Sequence, residues 1–240
     1  MASTYLSKTF SSSGTSDKIW TMSAWVKKSN PSTEGVIFAA GTSEREFIRF
    51  ESSGELTYRR AAGTTFQLTT NRKFRDTNAW YHIVIAVDTS QSTDTNKYKL
   101  YINGVQETSF GTAVYMNNNY LTKIGGGQLH TIGKDSEQSA YFDGCISHFH
   151  FCDGTQLAPT VFGETDSTTG EWKLKADPSF TVGTNGFTVL KNGNTYTDQS
   201  SNSNDFALGG GTLTKTEDCP SNIFCTMNPL MVNPSATNTF

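Results

Sequence analysis

Trp80-Tyr81-His82-Ile83-Val84-Ile85-Ala86-Val87, closed by Asp88, is the stretch that decides the fold class. Trp80, His82, Val84 and Ala86 alternate with Tyr81, Ile83, Ile85 and Val87, so both faces of the run carry bulk. β-Branched and aromatic side chains suit an extended chain. Bulk on both faces marks a central strand covered along most of its length. A polar stretch through Asn96 follows, and Lys97 to Asn103 then alternates Tyr98, Leu100 and Ile102 against Lys97, Lys99 and Tyr101. Asn103-Gly104 is the two-residue signal of a type I′ hairpin and leads into Val105 to Phe110.

Working outward, the same period recurs. In Trp20 to Lys27 the even positions Trp20, Met22, Ala24 and Val26 form an apolar face. Val36 to Ala40 is a short buried strand between Gly35 and Gly41. Phe47 to Phe50 and Leu56 to Arg60 flank Ser52-Ser53-Gly54, a hairpin signal. Ile124-Gly125 and Thr131-Ile132-Gly133 are short pieces around a glycine-rich loop, and Tyr141 to Phe151 is the last clear strand. No helix of ten residues or more can be placed, although Ala158-Pro159-Thr160-Val161-Phe162 suits one helical turn. Many short strands separated by turn residues predict an all-β sandwich or barrel.

Composition agrees. Thr (35), Ser (25), Gly (21) and Asn (17) make up 98 of 240 residues, a content poor in helix formers. Sixteen Phe still allow a sizeable core, which argues against disorder throughout. A net charge of −3 gives no basic surface for nucleic acid. Met1 to Lys8 contains no apolar run of the signal-peptide kind, and Ile83 to Val87 is far shorter than the ~18 residues of a membrane span. A soluble chain made in a cytoplasm is expected. Cys145 and Cys152 lie ~23 Å apart along one strand and are expected as free thiols, whereas a bridge between Cys219 and Cys225 stays open.

After residue 157 the texture changes to polar chain with spaced aromatics: Trp172, Phe180, Phe187, Phe206 and Phe224. Residues 1–157 are therefore read as a compact sandwich. Residues 158–240 are read as an irregular extension that either wraps the sandwich or docks on a partner. Removing it is expected to leave a soluble sandwich that no longer associates.

Trp25-Val26-Lys27, Trp80-Tyr81-His82-Ile83-Val84, Leu100-Tyr101-Ile102-Asn103-Gly104-Val105 and Phe142-Asp143-Gly144-Cys145-Ile146-Ser147-His148-Phe149 resemble the laminin-G and pentraxin-like branch of the concanavalin A-like family. The resemblance implies a jelly-roll sandwich of two antiparallel sheets. Phe162-Gly163-Glu164-Thr165, Gly170 to Lys175, Gly183-Thr184-Asn185-Gly186-Phe187, Asn204-Asp205-Phe206 and Pro220 to Leu230 resemble a module of tailed-phage virion proteins, as does Met1 to Leu6. That likeness implies a non-enzymatic virion structural protein, a fibre, appendage or capsid-decoration component. It would be made in the host cytoplasm and assembled with other virion proteins or into a homo-oligomer. Binding to host-surface glycan is expected, and nucleic acid and membrane are not expected as partners. A purely architectural subunit is the second reading, and a glycan-cleaving enzyme on the same fold is the third.

Candidate chemistry is sparse, and no residue is assigned as a catalytic or ligand contact. His148, His150 and Cys152 fall on one strand face in strict alternation. Spanning ~13 Å, they read as polar positions and not as a zinc site. Glu44 and Glu46 are the nearest approach to the paired acids of glycosidases, but Arg45 interrupts them and they read as a solvated turn. Asp88, Asp94, Asp135, Asp143 and Asp153 read as strand-end or loop residues. No cofactor is assigned. For calcium, Asp135, Glu137 and Asp143, with Asn117-Asn118-Asn119, offer oxygens without a run as specific as an EF-hand. Gly125-Gly126-Gly127 lacks the lysine and following helix of a phosphate loop, and no Gly-x-Ser-x-Gly elbow occurs. Tyr58, Tyr101, Tyr115, Tyr120 and Tyr141, with Arg59 and Arg60, are the aromatics and cations that could line a sugar-binding face. Purified chain incubated with polysaccharides is expected to release no reducing ends above a buffer control. Release that vanishes in Glu44→Gln or Glu46→Gln would overturn this.

Overall fold

The computed structural model describes residues 3–61, 63, 65–137 and 140–221. In chain order the strands are β1 (Tyr5–Thr9), β2 (Ile19–Lys28), β3 (Gly35–Ala40), β4 (Glu46–Phe50), β5 (Glu55–Arg60), β6 (Gln67–Lys73), β7 (Tyr81–Asp88) and β8 (Tyr98–Ile102). They continue as β9 (Val105–Glu107), β10 (Phe110–Val114), β11 (Leu129–Ile132), β12 (Gly144–Asp153), β13 (Gly163–Thr165), β14 (Trp172–Leu174), β15 (Phe187–Val189) and β16 (Ala207–Gly210). A single helical turn, α1 (Asp94–Lys97), and a 3-10 turn at Pro159–Val161 are the helical elements among the described residues.

Two antiparallel sheets form the sandwich. One has eight strands in the order β10-β6-β5-β4-β3-β11-β1-β16, the other six in the order β15-β12-β2-β7-β8-β9. The strand that decided the fold class is central: β7 pairs with β2 on one side and β8 on the other. Its inward residues Ile83, Ile85 and Val87 join one core with Trp20, Met22 and Val26 of β2 and Phe38, Ile48, Phe50 and Tyr58 of the opposite sheet. Asn103 and Gly104 both take positive φ, 49° and 79°, as a type I′ turn requires. A Cβ at Gly104 would also strike the Trp172 ring, 2.5 Å away.

The outer face of β7 is buried as well, because chain beyond β12 lies over it. Thr21 Oγ1 donates to the Thr155 carbonyl (2.7 Å) and accepts from the Leu157 N–H (2.9 Å). Trp172 Nε1 donates to His82 Nδ1 at 2.9 Å. The His82 ring stacks on Trp172 at 5.9 Å and on Trp25 at 4.8 Å. His150 stacks on Phe162 at 5.6 Å and meets the edge of Phe180 at 5.8 Å.

The chain then extends both sheets. β15 adds to β12, pairing Phe151 with Phe187, and β16 adds to β1. Phe187 stacks against Phe149 (5.7 Å) and Phe151 (5.5 Å) and touches Phe206 (4.6 Å). Buried Asp153 fastens this segment to the N-terminal loop. Its carboxylate accepts the N–H groups of Thr15 (2.5 Å), Ser16 (3.0 Å) and Asn185 (2.9 Å), so it does more than end a strand. Of the two readings of residues 158–240, the described part wraps the sandwich. Removing 158–240 would take an edge strand from each sheet and Phe187 and Phe206 from the core.

Ile83→Ala or Ile85→Ala should cost about 2–5 kcal/mol, and Phe187→Ala about 3–5 kcal/mol. Chemical denaturation checks both. An unchanged midpoint for Phe187→Ala would show that the later segment is not part of the cooperative core.

Candidate functional site

Strand alternation in the β4–β5 hairpin sends Glu46, Ile48, Phe50, Leu56 and Tyr58 inward. It leaves Phe47, Arg49, Thr57 and Arg59 on the outer face of the eight-stranded sheet. Register sets them in rows: Ala39, Phe47, Arg59 and Gln67 lie side by side, and Val36, Arg49, Thr57 and Thr69 form the next row. Phe47 packs with Val36 and Ala39 in a small cluster separate from the main core. Two guanidinium groups cover its ring, Arg49 at 4.8 Å and Arg59 at 5.1 Å.

These two cations differ. Arg49 donates from Nε and Nη2 to Glu51 (3.0 and 2.7 Å) and from Nη1 to Glu34 (3.0 Å). Arg59 forms no ion pair among the described residues, and its Nε is buried without an acceptor. Beside it, Thr57 and Thr69 hydroxyls lie 3.0 Å apart, and Gln67 Nε2 donates to Thr69 Oγ1 at 3.2 Å. The Thr57 and Thr69 row floors an open polar groove of about 380 Å³, walled by Glu51, Glu55, Lys73 and Thr112. Its size falls in the ~300–1,000 Å³ range of small-ligand clefts.

The residues singled out in the sequence are dispersed. Glu46 is not in a solvated turn. As the first residue of β4 it points inward, is fully buried, and accepts hydrogen bonds from Tyr58 Oη and Tyr120 Oη, both at 3.0 Å. Burial raises its pKa, partly offset by these donors. Glu44 stays outside, ion-paired with Arg60 at 2.7 Å and Lys123 at 3.6 Å, so the two glutamates form no catalytic pair. Tyr58 is likewise a correction. It is a core residue edge-on to Trp20 and packed against Phe66, because its register partner is inward-facing Ile48. Tyr101 and Tyr115 are half-buried and lie outside the groove.

Strict alternation also fails in β12. A bulge at His148 (φ 48°) shifts the register between Ser147 and His150. Ser147 ahead of the bulge and His150 behind it therefore share the outer face, while Phe149 and Phe151 enter the core. Burial pushes the Cys152 thiol up to about 11, which disfavours the thiolate a metal would need. Cys145 and Cys152 are free thiols, and Cys225 lies outside the described residues.

Two of the oxygens considered for calcium face cationic side chains. Arg45 Nε sits 2.6 Å from buried Asp135 Oδ1, and Lys18 Nζ donates to Asn119 Oδ1 at 3.1 Å. No group of three His, Cys, Asp or Glu gathers as a metal-ligand set among the described residues. A second cavity, about 470 Å³, opens between the sheets at one edge. Tyr5, Tyr141 and Trp80 line it, and Asp218 crosses it by accepting from Trp80 Nε1 at 2.9 Å and pairing with Lys27.

Two antiparallel sheets with one outer face open and polar define a lectin-like β-sandwich. The profile of the Concanavalin A-like lectin/glucanases superfamily matches residues 3–162, and the chain belongs to that superfamily. Among solved structures, a putative carbohydrate binding protein from Bacteroides ovatus is similar at a TM-score of 0.58 with 14% identity, over 92% of this chain. The chain spans 60% of that protein's length. A heptameric SAP-like pentraxin from Limulus polyphemus aligns at 0.47 with 16% identity, covering 65% of this chain and 71% of the pentraxin. At such identities the likeness is one of fold. Comparison with curated protein sequences finds no significant match.

All four histidines are neutral by burial, which holds His82 and His150 at about 3 and His130 and His148 at about 4. In the unfolded chain they titrate near ~6.5. Their contribution to stability is therefore complete above that value and is lost as pH falls toward 4 and 3. Between pH 6 and 4, unfolding should take up as many as four protons, each worth about 1.4 kcal/mol per pH unit. Glu46 opposes this, since its raised value favours the fold at acid pH and costs stability as pH rises. Denaturation midpoints that stay flat between pH 6.5 and 4 would refute the buried neutral histidines.

Proposed function

We propose that the chain is a non-enzymatic glycan-binding protein whose ligand lies on the outer face of the eight-stranded sheet. The observation that carries the reading is the open groove lined by Gln67 and Thr69, with the unpaired guanidinium of Arg59 in the neighbouring row of the same sheet face. Superfamily membership supports it, as does the carbohydrate-binding description of the Bacteroides ovatus relative. The separation of Glu44 from Glu46 supports binding without hydrolysis. Binding is proposed to need no calcium, because Arg45 and Lys18 already occupy two of the candidate oxygens.

The finer placement is a virion protein that carries this site to a host surface, made in the host cytoplasm and assembled with other virion proteins or further copies of itself. It is supported by the motifs of the second half that resemble tailed-phage virion proteins. Those motifs have structural work here, however. Gly183 and Gly186 turn the chain into β15, and Asn202 and Asn204 cap their carbonyls, with Asn204 Nδ2 donating to Gly186 O at 2.9 Å. Phe187 and Phe206 are spent inside the chain.

On an array of immobilised glycans the purified chain should retain at least one class, with binding unchanged by a chelator. Gln67→Glu and Thr69→Glu should abolish it, while Lys99→Glu on the other sheet should not. Failure of the chain to retain any glycan would overturn the lectin reading. Antibody labelling of intact particles tests the virion placement separately, and its absence there would remove that part alone.

A further inference from the structure

We infer that the sheet face selects anionic glycans, sugars bearing a carboxylate or a sulfate, and that Arg59 takes the anion. The inference rests on the glycan-binding reading above and adds the ligand's charge.

Arg49 and Arg59 both lie over Phe47, on adjacent strands and on the same face. Arg49 makes three hydrogen bonds to two carboxylates and is neutralised in place. Arg59, one strand over, has no carboxylate. Among the six arginines, Arg45, Arg49, Arg60 and Arg72 each hold an acid, and Arg75 is exposed. Arg59 is half-buried with its Nε shielded and unbonded. The segments outside the described residues contain no Asp or Glu, so the sequence offers it no further acidic side chain.

A packing role alone does not account for this. A guanidinium over an aromatic ring is attracted to it, but stacking supplies no hydrogen-bond acceptor for its N–H groups. The stacked pose holds the cation without a carboxylate partner. An anionic group supplies one at the Nη edge, because the planar fork of a guanidinium matches a carboxylate or sulfate in two parallel hydrogen bonds. Phe47 holds the fork before the ligand arrives, which reduces the ordering cost of binding. No resident carboxylate has to be displaced. Gln67, the register partner of Arg59, and the Thr69 hydroxyl lie alongside for the neutral hydroxyls of the same sugar. The charge sits on the solvent side of a sheet, so the preference should weaken with salt.

The test uses the full chain and matched glycan pairs: a glucuronic-acid polymer against its neutral glucan, and a sulfated galactan against the unsulfated one. The charged member of at least one pair should bind roughly tenfold more tightly, and which pair responds separates carboxylate from sulfate. Arg59→Gln should erase the difference between the members of that pair, Arg59→Lys should keep part of it, and Arg75→Gln should change nothing. If Arg59→Gln does not fold, a salt titration of the wild-type chain decides instead. Raising salt from about 0.05 to 0.5 M should weaken the charged ligand and spare the neutral one. Equal binding of both members of each pair would overturn the inference and leave the lectin reading standing. Absence of binding to every glycan would overturn both.

Discussion

Phe187 is the contact on which the arrangement depends. It lies in β15, in the second half of the chain, yet its ring stacks with Phe149 and Phe151 of β12 and lies 6.2 Å from Phe38 of β3. One buried ring thus joins the late segment to both sheets. Burying a large aromatic of this kind contributes on the order of 2–3 kcal/mol, and the chain on either side of it must be placed accordingly. Before Phe187, residues 155–180 lie over the outer face of the six-stranded sheet. After it, Phe206 packs on the same ring and β16 adds to β1.

That constraint explains how the two halves of the sequence differ in legibility. β2 and β8 were readable because alternation of apolar and polar residues reports a half-covered strand, β3 and β7 because short apolar runs between turn residues report strands covered on both faces, and the Asn103-Gly104 turn because a positive-φ turn has few sequence solutions. β1, β6 and β16 were not, since Tyr5-Leu6-Ser7-Lys8-Thr9 and Gln67-Leu68-Thr69-Thr70-Asn71 each bury little and carry weak periodicity. β15 is three residues long, and Phe187-Thr188-Val189 is fully buried without any pattern around it. Its place is set by a ring contact across some thirty-five residues of chain, which no local period encodes.

The site was partly legible. Arg59, Arg60 and the tyrosines were visible as residue types, but their roles turn on parity. Tyr58 and Arg59 are neighbours with opposite fates, one in the core and the other on the outer face, and only the pairing of β5 with β4 decides which is which. The bulge at His148 is the same lesson in reverse: one extra residue shifts the phase of every side chain after it, so a strict alternation read from Cys145 puts Phe149 and Phe151 on the wrong face. Nothing in the residue types at 147–148 announces a bulge. The contrast between Arg49 and Arg59 was likewise invisible, because Glu34 reaches Arg49 from fifteen residues away.

The placement of a ligand site then follows by exclusion as much as by chemistry. A sandwich has two outer faces. On the six-stranded sheet the chain itself occupies the outer face: Trp172 sits on His82, Phe162 and Phe180 enclose His150, and the histidines there are held neutral by the cover. A ligand there would have to lift an apolar layer and break the Trp172 to His82 hydrogen bond. On the eight-stranded sheet Phe47 is covered by Arg49 and Arg59, and the outward Arg59, Gln67 and Thr69 of β5 and β6 stay partly exposed. They form rows of Thr, Gln and Arg, and the inward-pointing acid of that region, Glu46, is consumed by Tyr58 and Tyr120. Of the carboxylates on the face, Glu51 is bound to Arg49, Glu55 to Lys73 and Glu44 to Arg60, and Arg72 is held by Glu107. Among the described residues of β4, β5 and β6, Arg59 is left as the cation without a carboxylate partner.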